Sequence, residues 1–212
     1  RQISSEGIDI MLTLDVSSSM ELNDLDNGDR TRLEVAKQVV SDFINGRQSD
    51  RIGMVVFAGE SFTQCPLTLD YKILLEFLEG IPIAEKSWDG TAIGMALINA
   101  VNRLREAEGR SQVIILLTDG VNNAGEIDPL TAAETAGAVG VRVYTIGIGS
   151  DGSIRRAVPS VFGTRYQNVE VEIDDEPLRT VAQKPGGKSY RASREKRLER
   201  IYAGRGGGAR AE

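Results

Sequence analysis

An α/β fold, doubly wound around a mostly parallel sheet with one antiparallel edge strand and helices on both faces, is what this sequence predicts, on three observations. Short apolar runs recur at 8–16, 51–58, 112–118 and 142–148, continuous rather than alternating, as in strands covered on both faces. Segments with apolar residues at helical spacing separate these runs. The first and third runs each end in a carboxylate, Asp15 and Asp119, at the strand edge where open parallel sheets bind ligands.

In chain order, Ile8, Ile10, Met11, Leu12, Leu14 and Val16 make the first strand, which stops at Asp15 and the hydroxyls of Ser17 and Ser19. Glu21, Asp24, Asp26 and Asp29 then form an acidic stretch expected as a solvated loop. A calcium loop of EF-hand type is disfavoured there, because Gly28 and Val35 stand where that loop needs oxygen ligands. Thr31 or Asp29 caps a helix running to about Asn45, with Leu33, Ala36, Val39, Val40, Phe43 and Ile44 on its inner face. Arg51 to Ala58 is the second strand, and Ser61 to Leu67, with its alternation, is a short antiparallel edge.

Tyr71 to Leu78 is a short helix ended by Gly80 and Pro82. The turn Asp89-Gly90-Thr91 opens the helix carrying Ala92, Ile93, Ala96, Leu97, Ala100, Val101 and Leu104, with Thr91 at its N-terminus and suited to cap it. Strand 112–118, helix 130–139 and strand 142–148 continue the rhythm. Beyond Gly149 it loosens: 150–163 has no clear period, 166–173 alternates as a strand or hairpin near the surface, 174–183 is helical and 188–192 a last strand. Ser193 caps a final helix ending near Ala203.

At 212 residues and 41% hydrophobic content the chain can bury one good core. One domain over 1–203 is expected, with 204–212 a glycine-rich tail or expression scar. A net charge of 25 minus 31, or −6, speaks against nucleic-acid binding. The absence of histidine removes Ser-His-Asp catalysis and histidine zinc sites from consideration. The lone Cys65 reads as a small buried apolar residue. No apolar run approaches the roughly 18 residues that span a bilayer, so membrane attachment is expected only through flanking segments.

Asp15, Ser17 and Ser19 place three hard oxygen donors on one tight loop, a set suited to Mg2+, Mn2+ or Ca2+. Asp119 brings a second carboxylate and Thr91 a further hydroxyl, giving the candidate metal ligands Asp15, Ser17, Ser19, Thr91 and Asp119. DVSSS, DGT and TDG in this order and spacing resemble the metal-ion-dependent adhesion site (MIDAS) of von Willebrand factor type A (VWA) domains, and the resemblance runs from about Ile8 to Tyr202. It implies that Mg2+, or Mn2+ or Ca2+ in its place, keeps an exchangeable position for an Asp or Glu side chain of a partner protein. Glu21, Trp88 and Asn122 are candidate partner-binding rim residues, with Trp88 better suited to packing under its loop.

QISSEGIDIMLTLDVSSSM, RLEVAK, DGTAIG and YTIGIGSDG look most like bacterial aerotolerance-type membrane proteins of the Bat group. That resemblance implies other Bat-type proteins or a MoxR-type AAA+ ATPase system as partners, in an inner-membrane-anchored protein whose soluble domain is periplasmic. The competing class is a metal-dependent phosphohydrolase or phosphoacceptor. Haloacid-dehalogenase-type phosphatases need an acid where Ser17 stands, and receiver domains need a late-strand lysine where this chain has Arg142, Tyr144 and Thr145. No catalytic residue is therefore assigned.

Overall fold

The computed structural model describes residues 7–25, 28–107, 111–120, 122–150, 152–160, 163–171 and 175–192. In chain order these form β1 (Asp9–Asp15), α1 (Arg32–Asn45), β2 (Arg51–Phe57), β3 (Ser61–Thr68), α2 (Tyr71–Glu79), α3 (Ile93–Arg105), β4 (Gln112–Thr118), α4 (Pro129–Ala138), β5 (Arg142–Ile148), β6 (Gly152–Ser160), β7 (Gly163–Val171), α5 (Asp175–Gln183) and β8 (Ser189–Ala192). The main sheet has six strands in the order β3-β2-β1-β4-β5-β8. All its neighbours are parallel except β2 and β3. Pro66 in β3 fits an edge strand, because an edge tolerates a missing N–H.

Two apolar layers hold the sheet. Residues at alternate positions of β1, Ile10, Leu12 and Leu14, pack with Ala36, Val40, Phe43 and Ile44 of α1 and with Leu74 and Leu78 of α2. On the other face Met11, Val55, Ile114 and Leu116 meet Ile93, Leu97, Ala100, Val101 and Leu104 of α3, with α4 and α5 beside them. The central strands are covered on both sides, which is why they read as unbroken apolar runs.

Chain order turns back at β1: α1 leads to β2 on one side, while the path through β3, α2 and α3 returns to β4 on the other. The C-terminal ends of β1 and β4 thus lie side by side at the topological switch point, where parallel sheets leave a crevice. At the opposite end of β1 the buried Asp9 accepts from Arg51 Nε and Nη2, both at 2.7 Å.

Two expectations change. The stretch 150–163 contains β6, which pairs in register with β7 as a separate two-stranded sheet from Gly152↔Val171 to Ser160↔Gly163. It forms no part of the six-stranded sheet. Asp24 is no solvated acid: its side chain is 0% exposed and ion-paired to Arg32. That pairing engages its carboxylate within the protein. Asp26 and the helix expected from Ser193 to Ala203, like the tail at 204–212, lie outside the described residues.

Candidate metal centre

β1 ends in Asp15, whose carboxylate turns back onto its own loop: Oδ1 accepts from the Ser17 amide at 2.9 Å and Oδ2 from the Thr118 hydroxyl at 2.5 Å. The chain then makes a single 3-10 turn over Ser18–Glu21, pinned beneath by the buried Met20. In this turn the Ser17 and Ser19 hydroxyls lie 3.0 Å apart. Asp15 and Ser17 are buried, and Ser19 is half-buried.

Thr91 arrives on the second loop. A Cβ on Gly59 would come within 2.8 Å of the Asp89 carbonyl, so a glycine after β2 is what lets this loop lie down on the sheet edge. Gly90 takes φ +126°, a left-handed conformation that suits glycine. The Asp89 carboxylate accepts from the Ser18 amide at 2.9 Å, which joins the second loop to the first. Hydrogen bonds from the Ser18 side chain, and then from the Ser18 and Gly90 amides, hold the Asp89 carboxyl below its ordinary range.

The third loop follows β4, with Asp119 4% exposed. Asn123 Oδ1 accepts from the Thr91 amide at 2.8 Å, and the Thr91 carbonyl accepts from the amides of Asn123 and Ala124. Thr118 to Asp15, Ser18 to Asp89 and Thr91 to Asn123 therefore close a triangle of loops around the crevice. The five proposed ligands lie on these three loops, four of them buried.

Two expectations at the rim shift. Thr91 does not cap α3: the helix begins at Ile93 after Ala92, and the Ile93 amide donates at 2.9 Å to Asn122 Oδ1 from the third loop. Asn122 is exposed, but its side-chain carbonyl oxygen is engaged in this way. Trp88 packs, its ring edge-to-face with Phe62 at 5.4 Å and 88°. Glu21 is exposed at the end of the 3-10 turn.

The donor set fits a hard divalent cation. Among the described residues no group of three or more acidic, cysteine or histidine side chains could hold a metal; here hydroxyls complete a pair of carboxylates. Asp119 Oδ1 is buried and has no hydrogen-bond partner, a costly state for a carboxylate oxygen unless something binds it. Burial, and then the charge of Asp119, raise the Asp15 carboxyl from 3.8 to about 7. Two carboxylates crowded in a buried crevice repel one another until a cation is shared between them.

The sequence reading missed Arg32. Its guanidinium, 3% exposed, donates to Asp119 Oδ2 at 3.0 Å through Nη1 and to both oxygens of Asp24 through Nε and Nη2, at 2.8 and 2.7 Å. A signal was present, since the spacing 32-36-40-44 puts Arg32 on the inner stripe of α1.

A family model described as von Willebrand factor type A domain matches residues 9–204. A solved aerotolerance-related membrane protein from Bacteroides fragilis is 30% identical, with a TM-score of 0.77 over 89% of this chain and 92% of that one. A protein from Borreliella burgdorferi is 33% identical over 88% of this chain, which spans 54% of that relative's length. At 21% identity, where only the fold is shared, proximal thread matrix protein 1 of the mussel byssus, solved with zinc in its MIDAS motif, aligns over 88% of this chain and 42% of its own with a TM-score of 0.65.

Proposed function

The chain belongs to the von Willebrand factor type A family, and from that premise we propose that it is a metal-dependent protein–protein interaction module. Asp15, Ser17, Ser19, Thr91 and Asp119 would hold a divalent cation, Mg2+ first and Mn2+ or Ca2+ in its place. A bound cation supplies a Lewis acid with an exchangeable position, onto which a partner's Asp or Glu carboxylate fits. The observation that carries this is the buried, unpartnered Oδ1 of Asp119 beside the raised carboxyl of Asp15.

Ser17, Ser19 and Thr91 add no charge, so the ion they hold stays electrophilic toward an incoming anion. With no histidine in the chain, capture of a carboxylate suits the centre better than turnover. The likeness to an aerotolerance-related membrane protein supports a place in a bacterial membrane-anchored assembly. We place the domain on the periplasmic side, with Bat-type proteins or a MoxR-type ATPase system as the wider machinery. No helix among the described residues is long and apolar enough to cross a membrane, so flanking segments would provide the anchor.

The test is selection of peptides from a random library on the Mg2+-loaded chain. Selected peptides should share an Asp or Glu, and should lose binding when that residue becomes Asn or Gln or when EDTA is added. Thr91→Ala should weaken capture by roughly 10- to 100-fold, the equivalent of about 1.4 to 2.8 kcal/mol. Peptides that bind equally well with EDTA, or without their acid, would overturn the reading.

A further inference from the structure

We infer that Arg32 and Asp24 are positioning residues of the metal centre, holding Asp119 by one carboxylate oxygen and tying it to Ser150 at the root of the β6–β7 hairpin. The inference rests on the reading of Asp119 as a metal ligand and adds to it residues outside the ligand set.

An arginine at the first position of a helix is poorly placed, since the helix dipole there favours anions. Burying it adds a desolvation cost that only close, well-directed carboxylates offset. Arg32 has them on both sides. Its fork takes Asp24 with two nitrogens and reaches Asp119 Oδ2 with the third. The planar guanidinium therefore sets the rotation of the Asp119 carboxylate, committing Oδ2 and leaving Oδ1 as its buried oxygen without a partner.

Asp24 is held from a second direction. Its Oδ2 also accepts from the Ser150 amide at 2.8 Å, and its backbone carbonyl accepts from the Ser150 hydroxyl at 2.8 Å. Burial alone would raise the Asp24 carboxyl, but hydrogen bonds from Arg32 and Ser150 hold it below its ordinary value. Ser150 follows β5 on the ligand-bearing edge, two residues before β6 begins. A continuous path of charge-assisted hydrogen bonds thus runs from Asp119 through Arg32 and Asp24 to the hairpin root.

The electrostatics give the path a direction. Removing the Asp24 charge leaves the guanidinium to Asp119 alone, which neutralises a ligand and adds net positive charge beside the cation. Both effects weaken ion binding. A pair that only stabilised the fold would lower the melting temperature and leave ion affinity alone.

Titration calorimetry with Mn2+ and with Mg2+ on the folded chain separates the two roles. Asp24→Asn should bind each ion about 10-fold more weakly than wild type. In an Asp119→Asn background the same substitution should weaken binding less than it does in wild type, because the part that acts through Asp119 is already gone and only the added positive charge beside the cation remains. Arg32→Lys, which keeps the charge but cannot fork between two carboxylates, should also bind several-fold more weakly and serves where Asp24→Asn does not fold. Hydrogen exchange at the Ser150 amide should slow when Mn2+ saturates wild type, and not in Asp24→Asn. Wild-type binding with unchanged affinity in both variants would overturn the inference and leave the metal reading standing; no ion binding by wild type would remove both.

Discussion

Burial and the neighbouring Asp119 raise the Asp15 carboxyl from 3.8 to about 7 in the metal-free chain. The folded state then keeps a proton that the unfolded chain releases, so this group's contribution is present below about pH 4 and is lost as pH rises through 7. The difference is worth on the order of 4 kcal/mol. In EDTA, urea midpoints should therefore fall between pH 5 and pH 8, and Asp15→Asn should flatten the profile; parallel profiles for the two proteins would contradict it. Saturating Mg2+ should raise the wild-type melting temperature most at pH 8, where no proton competes for the carboxylate, and should leave Asp15→Ala unmoved. The five candidate oxygen donors could be named because Asp15, Ser17, Ser19 and Asp119 follow apolar runs and because DVSSS, DGT and TDG together resemble a known motif. Arg32 was legible only as a charge on the inner stripe of α1, and its pairing with Asp24 not at all, since the sequence does not say which acid in an acidic stretch will meet which arginine.

Strands β1, β2, β4 and β5 could be read at the level of the element because a run covered on both faces has no competing pattern of its own. Caps were less legible. Thr31 caps α1 with a capping box to Glu34, all of it local in sequence. The start of α3 is capped by Asn122, 29 residues away, and no local pattern encodes that. Asn122→Ala should cost about 1 kcal/mol in a denaturant titration, and no measurable loss would mean that α3 starts without this bond. Gly94 carries a stricter constraint: a Cβ there would sit 1.9 Å from the Ile127 carbonyl oxygen. Gly94→Ala should push α3 off the loop before α4 and destabilise by about 3 kcal/mol, whereas a loss under about 1 kcal/mol would show that the loop gives way.

For the molecule as a whole, the sheet separates two apolar clusters that share no residue. Ile44→Val on the α1 face should cost about 1 kcal/mol and Leu97→Ala on the α3 face about 3 kcal/mol. The double variant should lose their sum to within about 0.5 kcal/mol, and a larger deviation in urea unfolding would mean that strain passes through the sheet. The fold class was legible at this scale because alternation of element types constrains topology strongly. Only half of the hairpin was, since 166–173 alternates as a strand does while 152–160, with its glycine, proline and basic residues, carries no such pattern. One contrast remains along β1, whose two ends, about 20 Å apart, each bury an aspartate. Arg51, part of the same chain, answers Asp9 the moment the strands pair. Asp15, at the other end, has to be answered from outside. With an ion as that answer, as proposed above, folding and ion binding would be separate steps: the chain would complete its fold before the ion is met.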